Sequence, residues 1–224
     1  MKLVVAALAT ATAALAGSSV AQAATLAADP DLRCYAENSL VFLPGEGFTP
    51  NAQVDFSRDG TPLEADPPIV ADAAGLLGAD LTLPGLLEGQ RTLNYLATDT
   101  ANPANTAALS LLVTATDVKL KPEKGEPERL LTVRARGFFG GGKWLWAHVV
   151  RRGPQAGSGR RRARNIRIGR IKRPCKKVRA KRRLFKPGVA SGVYRVQFDA
   201  FRRYRKKRDY RSIFDVTISS TAER

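Results

Sequence analysis

Residues 45–60 read Gly-Glu-Gly-Phe-Thr-Pro-Asn-Ala-Gln-Val-Asp-Phe-Ser-Arg-Asp-Gly. Within them Gln53-Val54-Asp55-Phe56-Ser57 alternates polar and apolar side chains, the period-two pattern of a half-buried strand. Asp59-Gly60 then closes the run with a dipeptide suited to a tight hairpin turn. Upstream, residues 39–43 (SLVFL) read as a strand that stops at Pro44-Gly45. Downstream, Leu81-Thr82-Leu83 stops at Pro84-Gly85, and residues 91–99 and 107–114 form the two longest alternating runs of this half. No stretch beyond the N-terminal segment sustains a capped 3.6-residue apolar repeat. Short strands punctuated by Pro and Gly predict an all-β sandwich.

The same layout returns in the second half. Ala135-Arg136-Gly137-Phe138 followed by residues 144–150 (WLWAHVV) corresponds to Gly45-Glu46-Gly47-Phe48 followed by Gln53-Val54-Asp55-Phe56. Residues 193–199 correspond to 94–99, and Asp215-Val216-Thr217 to Leu112-Val113-Thr114. From Gly47 to Asp99 is 52 positions and from Gly137 to Asp199 is 62, the extra length falling mostly in the Arg-rich segment after Arg151. The sequence therefore predicts two tandem antiparallel sandwiches of about 100 residues each, the usual size of such a domain, over 24–116 and 117–224.

Ahead of them, Lys2, an Ala-rich apolar run to Gly17 and Ala21-Gln22-Ala23 form the charged, apolar and small-x-small order of a secretory signal peptide, residues 1–23. The run is too short for the roughly 20 apolar residues of a membrane span. Leu15-Ala16-Gly17 is followed by Ser18 and not by the cysteine that would carry a lipid. The expected mature chain starts at Ala24 and is secreted or held to the envelope without a covalent bond.

Charge divides the chain at Asp117. From Ala24 to Thr116 there are 3 Lys and Arg against 12 acids, a formal −9, whereas 117–224 carries 33 against 8, a formal +25. The overall +17 conceals a dipolar molecule.

Several segments resemble a known family. GEGFTPNAQVDFSRDG, the GLLGADLTLPG of residues 75–85 and the LNYLATDTANPANTAALSLLVT of residues 93–114 are similar to the bacterial Ig-like repeats of exported actinobacterial proteins. RARGFFGGGKWLWAHVVRRG, IRIGRIKRPC and GVYRVQFDAFRRY resemble a basic domain that accompanies such repeats. The resemblance implies an Ig-like sandwich and an envelope or extracellular setting, and it carries over no catalytic residue. One departure is Gly140-Gly141-Gly142 in place of the Thr-Pro-Asn of the first half.

Enzymatic chemistry finds little to work with. His148 is the one histidine, which excludes a multi-histidine metal site and leaves any His-based triad a single candidate. Alternation puts His148 on one face with Trp144, Trp146 and Val150. An aromatic platform for sugars or bases is one reading, and a buried histidine packed against tryptophan is the preferred one, since Ig-like sandwiches commonly bury an aromatic early. The acids are scattered at turns without a close pair suited to glycoside hydrolysis. Asp72 and Asp80 lack the Asp-x-Asp clustering of a strong calcium loop, and Asp99 reads as a residue bonded to its own turn. No catalytic residue, metal or cofactor is expected.

Two cysteines, Cys34 and Cys175, face an oxidising compartment. A disulfide between them would tie the two halves together. The sequence leaves this open and tilts toward two separate buried thiols, because each half would have to present its cysteine at one interface.

The most informative chemistry is cationic. Arg160, Arg161, Arg162 and Arg164 read as a hairpin tip. Arg167, Arg170, Lys172, Arg173, Lys176, Lys177 and Arg179 interleave with Ile166, Ile168, Ile171 and Val178, so that the aliphatic residues turn inward and the cations outward. Arg202, Arg203 and Arg205 begin a further run. Such a surface expects an anionic cell-wall or extracellular polymer, or an acidic protein surface, as partner. A spacer or adhesin fragment without a polymer ligand, or a non-specific nucleic-acid binder, is the alternative. Specific nucleic-acid recognition is disfavoured by the export signal and by the lack of a recognition helix, zinc finger or RNA-binding signature.

Overall fold

The structure is a computed structural model that describes residues 23–123, 125–152 and 163–219. The leader lies outside the described residues apart from Ala23. Among the described residues every regular element is a strand. The first eight are β1 (Thr25–Leu26), β2 (Tyr35–Ala36), β3 (Leu40–Glu46), β4 (Val54–Arg58), β5 (Thr61–Leu63), β6 (Leu77–Thr82), β7 (Gln90–Asp99) and β8 (Thr106–Thr114). Then come β9 (Asp117–Lys121), β10 (Leu131–Arg136), β11 (Trp144–Arg151), β12 (Arg164–Arg170), β13 (Val178–Arg182), β14 (Gly192–Asp199) and β15 (Ser212–Ile218).

The strands make four sheets in two pairs. A three-stranded sheet β1-β3-β6 faces a five-stranded sheet β2-β8-β7-β4-β5, and β9-β10-β13 faces β12-β11-β14-β15. No strand is shared between the pairs. In the first pair β2 runs parallel to β8 while the remaining pairings are antiparallel, so a short strand switches sheets at the N-terminal edge, as in Ig-type sandwiches. The second pair has the same order without that switch strand. The all-β Ig-like sandwich expected from the sequence is therefore the observed fold class.

Each pair closes over its own core. Val41, Leu43, Phe48, Val54, Phe56, Leu93 and Tyr95 fill the first. Val133, Phe138, Leu145, Ile168, Val196 and Phe198 fill the second. Burying one such side chain is worth about 1.5–3 kcal/mol. The sequence alternation is visible in β7, whose Leu93, Tyr95 and Ala97 point in while Asn94 and Leu96 point out. Tyr194, early in β14, returns its hydroxyl to the carbonyl of Ala190 at 2.7 Å, the tyrosine-corner arrangement that fixes the entry to this strand.

Two boundaries differ from the sequence reading. β3 continues through Pro44 to Glu46, because Pro44 needs only its carbonyl there, which accepts from Ala27 N at 2.9 Å. The strand expected at 81–83 starts earlier, at Leu77, where β6 pairs with the extended β3.

The link between the sandwiches is short and well bonded. Only Ala115 and Thr116 separate β8 from β9. The Glu37 carboxylate accepts from Thr116 N (2.6 Å) and Leu86 N (2.9 Å), and Asp117 accepts from Gly89 N (2.7 Å). Gly137 has φ 77°, and a Cβ there would stand 2.2 Å from the Ala115 carbonyl oxygen, so glycine is required for the linker to pass.

The cysteines complete the junction. Cys34 and Cys175 are bonded to each other, with Cα atoms 5.3 Å apart and 141 positions between them in sequence. The tilt toward two separate thiols is thus corrected. Cys34 directly precedes β2, and Cys175 sits in the turn after β12 whose carbonyl accepts from Gly137 N at 3.1 Å, so both halves do present their cysteine at one interface. Gln90 Nε2 lies 2.7 Å from the Cys175 sulfur across the same junction.

Candidate functional site

The cations of the second sandwich do not form one face. Apart from Arg164 and Arg167, the described cations expected at the site fall in three places. The expected tip residues Arg160, Arg161 and Arg162 lie outside the described residues. Arg164 is not at a tip: it opens β12 opposite Val149 and donates to the Leu184 carbonyl at 3.3 Å. β12 is the edge strand of its sheet, paired with β11, and its alternation is as expected, with Ile168 fully buried and Arg167 and Arg170 exposed. The Arg167 guanidinium sits 4.6 Å from the centre of the Trp144 ring, a cation–π contact on the sheet edge.

The first cationic place is a groove of about 410 Å³ where β12 turns into β13. Arg134, Arg136, Arg170, Lys172, Lys177 and Arg179 line it with Ala135 and Val178 at its base. The turn is held by reciprocal backbone bonds between Lys172 and Lys177 at 2.9 and 2.8 Å. No carboxylate lines the groove. Arg136 is engaged by Asp117 at 3.2 Å, whereas no ion pair occupies Arg134, Arg170, Lys172, Lys177 or Arg179 among the described residues.

The second place is at the disulfide. Arg173 and Lys176 stand with Arg33 and Phe139 around Cys34, together with one acid, Asp31. The third is the loop over residues 200–211, which carries Arg202, Arg203 and Arg205. This loop lies on the outer side of the β12-β11-β14-β15 sheet and covers a buried polar cluster.

That cluster is what the sequence concealed. His148 is fully buried, and its ring nitrogens face two oxygens, Nδ1 at 2.7 Å from Asn165 Oδ1 and Nε2 at 3.2 Å from Asp199 Oδ1. A doubly protonated imidazolium satisfies both. Burial opposes that charge, but Asp199 and Asn165 outweigh it and hold the ring's pKa above the ordinary histidine value. Burial likewise pushes the Asp199 carboxyl up, and His148 and Gln197 bring it below the usual value. Gln197 donates both to Asp199 (2.7 Å) and to the loop carbonyl of Arg205 (2.9 Å), while Phe201 N donates to Asp199 (2.8 Å). Tyr204 packs on His148 with ring centres 5.8 Å apart. The expectation of a buried histidine holds, but its ring contact is Tyr204 and not a tryptophan.

The glycine triplet explains how the loop reaches the sheet. A Cβ on Gly142 would stand 1.8 Å from the Ala200 carbonyl oxygen, and Gly140 and Gly141 lie against Phe201. The departure of Gly140–Gly142 from the first half is therefore where the loop docks. Arg208 stacks on Phe201 at 4.0 Å and closes the loop on itself.

Three acids of the first sandwich, Asp59, Asp72 and Asp99, hold backbone N–H groups. Asp72 accepts from Ala74 N and Leu76 N, both at 2.8 Å, and Asp59 from Asn94 N at 3.0 Å. Asp99 is fully buried and reaches beyond its own turn. It accepts from Thr49 N at 2.7 Å as well as from Ala101 N and Asn102 N. Among the described residues no group of three or more His, Cys, Asp and Glu is placed to hold a metal ion, and no helix is long and apolar enough to cross a membrane.

No protein-family model and no curated protein matches the chain. Solved structures do align with it. A protein from Corynebacterium diphtheriae proposed to be membrane-anchored aligns at 12% identity and TM-score 0.34, over 88% of this chain and 57% of its own. A tetra-tandem repeat from the extending region of a large adhesion protein aligns at 14% and 0.28, over 86% and 47%. The ligand-binding domain of human OSCAR aligns at 14% and 0.30, over 89% and 100%. The chain spans about half the length of the first two. At these TM-scores the likeness transfers neither residues nor activity.

Proposed function

We propose that this chain is an exported, non-enzymatic module of the bacterial envelope or extracellular space whose second sandwich holds an anionic polymer by charge. The observation that carries this reading is the groove of Arg134, Arg136, Arg170, Lys172, Lys177 and Arg179, six cations without a lining carboxylate. A fold gains nothing in stability from such a cluster, since like charges repel. Arg and Lys together suit phosphate, sulfate or carboxylate on a polymer. The signal-like leader and the resemblance to exported actinobacterial repeats favour a wall or matrix polymer over a cytoplasmic one.

A second reading is a spacer or adhesin segment, and the junction favours it: a two-residue link, the bonds from Glu37 and Asp117, and the Cys34–Cys175 bond all hold one sandwich against the next. The two readings are compatible in one molecule and separable by experiment. The intact, disulfide-bonded chain is applied to immobilised heparin and to duplex DNA over a salt series. Retention at low salt with a steep loss between 50 and 200 mM is expected, since a protein engaging about 6–10 phosphates of duplex DNA loses roughly 10³–10⁵ in affinity over that range. Passage through the heparin column at low salt would leave the spacer reading alone.

A further inference from the structure

The register of the three-stranded sheet β9-β10-β13 places cation opposite cation. Lys119 pairs with Arg134, and Arg134 with Arg179, so three cations form one row across all three strands. Two residues along, Lys121 and Lys181 flank Thr132 in a second row. Lys119, Lys121, Arg134, Arg179 and Lys181 are all exposed, while the alternate residues Val118, Val133, Ala135 and Val178 are buried beneath them. Neighbouring strands lie about 4.8 Å apart, and residues two apart on a strand about 6.7 Å. The face is thus a small lattice of cations at roughly those spacings, and its edge runs into the groove described above through the shared Arg134 and Arg179.

Such a row is not a requirement of the fold. Like charges directly opposite on neighbouring strands are destabilising. The corresponding sheet of the first sandwich pairs Leu40 with Thr82, Phe42 with Asp80 and Pro44 with Gly78. Neutralisation is partial: Glu88 reaches Lys119 at 2.6 Å and Asp117 reaches Arg136 at 3.2 Å, which leaves the centre of the row, Arg134 and Arg179, without a carboxylate among the described residues. The two rows hold no aromatic side chain. The rings that meet cations, Trp144 and Phe201, belong to the opposite sheet and its covering loop. Proteins that hold single-stranded nucleic acid combine a basic track with aromatic rings on which bases stack. This face offers the track alone.

Resting on the polymer-binding reading, we infer that the outer face of β9-β10-β13 is the binding track, and that it takes a flexible chain of phosphate esters on a base-free polyol or sugar backbone. The chain crosses the strands along Lys119, Arg134 and Arg179 and continues into the groove beside Arg170 and Lys177. Its anions are the missing counter-charges of the row.

The test uses the intact disulfide-bonded chain, with inorganic polyphosphate, an abasic phosphodiester oligomer and a thymidine oligomer of equal length as probes. Wild type is expected to bind the abasic and thymidine oligomers within about twofold of each other. A preference of tenfold or more for thymidine would mean that bases are read and would overturn the inference. The double variant Arg134→Ser/Arg179→Ser is expected to bind polyphosphate at least tenfold more weakly, with a salt slope shallower by about 1.4, from about 0.7 per single-strand phosphate contact. Arg202→Ser/Arg203→Ser/Arg205→Ser, on the opposite side, is expected to bind within threefold of wild type. The reverse ranking of the two variants would place the track on the loop and sink the assignment. Without ligand at low salt, the face variant should melt no lower than wild type, because the like-charge row is relieved. A lower melting temperature would make these cations structural and would also overturn the inference. If wild type binds none of the three probes at low salt, the polymer-binding reading itself fails.

Discussion

Asp99 and Asp199 occupy the same place in the two sandwiches. Each ends a long central strand, is paired across it (with Val54 and with Trp146) and is fully buried. Each also accepts from the backbone N–H two residues on, Ala101 and Phe201, and there the likeness ends. Burial pushes the Asp99 carboxyl up, but hydrogen bonds from Thr49, Asn102 and Ala101 prevail and lower it to about 2. Its negative charge is met by backbone N–H groups together with the side chains of Thr49 and Asn105, and the loop that follows is only residues 100–105 long. Asp199 receives one backbone N–H and turns its other capacity to His148 and Gln197, and the loop that follows, residues 200–211, folds back over the sheet. One slot therefore serves two purposes. In the acidic sandwich it finishes a turn, and in the basic one it seats a cationic loop on a sheet.

The largest expected effect comes from removing that seat. Asp199→Ala leaves His148 buried without its carboxylate, and breaking a buried pair in this way costs about 3–5 kcal/mol. Asp99→Ala strands several N–H groups at the rim of the sandwich. It should cost less, about 2–3 kcal/mol, because an unsatisfied donor costs about 1–3 kcal/mol and water can reach this turn. Chemical denaturation of both variants ranks them, and the opposite order would mean that the buried histidine gains nothing from Asp199.

A smaller effect isolates the docking of the loop. Gly142→Ala drives a methyl group into the Ala200 carbonyl, which must shift. Such overpacking typically costs about 1–3 kcal/mol. Trypsin should then cut faster within residues 202–208, while cleavage at Arg58 and Arg91 in the first sandwich is unchanged. Equal acceleration in both would show that the loop is not docked through the glycine triplet.

The smallest effect is the response to pH, and it has opposite signs in the two regions. The folded pKa of His148 is raised, so its contribution is fully present below the unfolded value of about 6.5 and is lost as pH rises through the folded value. Asp99 is lowered, so its contribution is present above about 3.8 and is lost as pH falls toward about 2. Both tryptophans, Trp144 and Trp146, lie in β11, so their emission reports the second sandwich alone. Between pH 6 and 9 the tryptophan-detected unfolding free energy should fall, with a slope of no more than about 1.4 kcal/mol per pH unit. A rise over the lower part of this range would mean that His148 is buried neutral, and a flat profile that folding leaves its proton affinity unchanged.

Much of this architecture is legible in the sequence wherever one sheet face is apolar. Val54 and Phe56, and Leu93, Tyr95 and Ala97, announce their strands because alternate positions carry core side chains. β9 and β10 are less legible: Val118 and Leu120, or Val133 and Ala135, are brief apolar signals between lysines and arginines. The row Lys119–Arg134–Arg179 depends on register between strands far apart in sequence, which no local pattern encodes. For His148, alternation along β11 does hold, with Leu145, Ala147 and Val149 in the core and His148 on the other face. The cover over its ring comes from a loop about 50 residues away whose composition reads only as charge. The cysteine pairing needed the junction, where Cys34 and Cys175 meet because Gly137 and Gln90 bring the two edges together. The one local signal that could have pointed to the loop's seat is the glycine triplet, since three consecutive glycines mark a close backbone approach.

The Cys34–Cys175 bond also reroutes tension. When the molecule is drawn between residues 24 and 219, force enters along the first strand, crosses the sulfur bridge and leaves through the last strands. The 141 positions between the cysteines are bypassed. That hidden stretch amounts to roughly 470–510 Å of extended backbone at 3.3–3.6 Å per residue. While the bridge is intact only the segments before Cys34 and after Cys175 can be drawn out under load, and a reducing agent adds the hidden stretch to the tether.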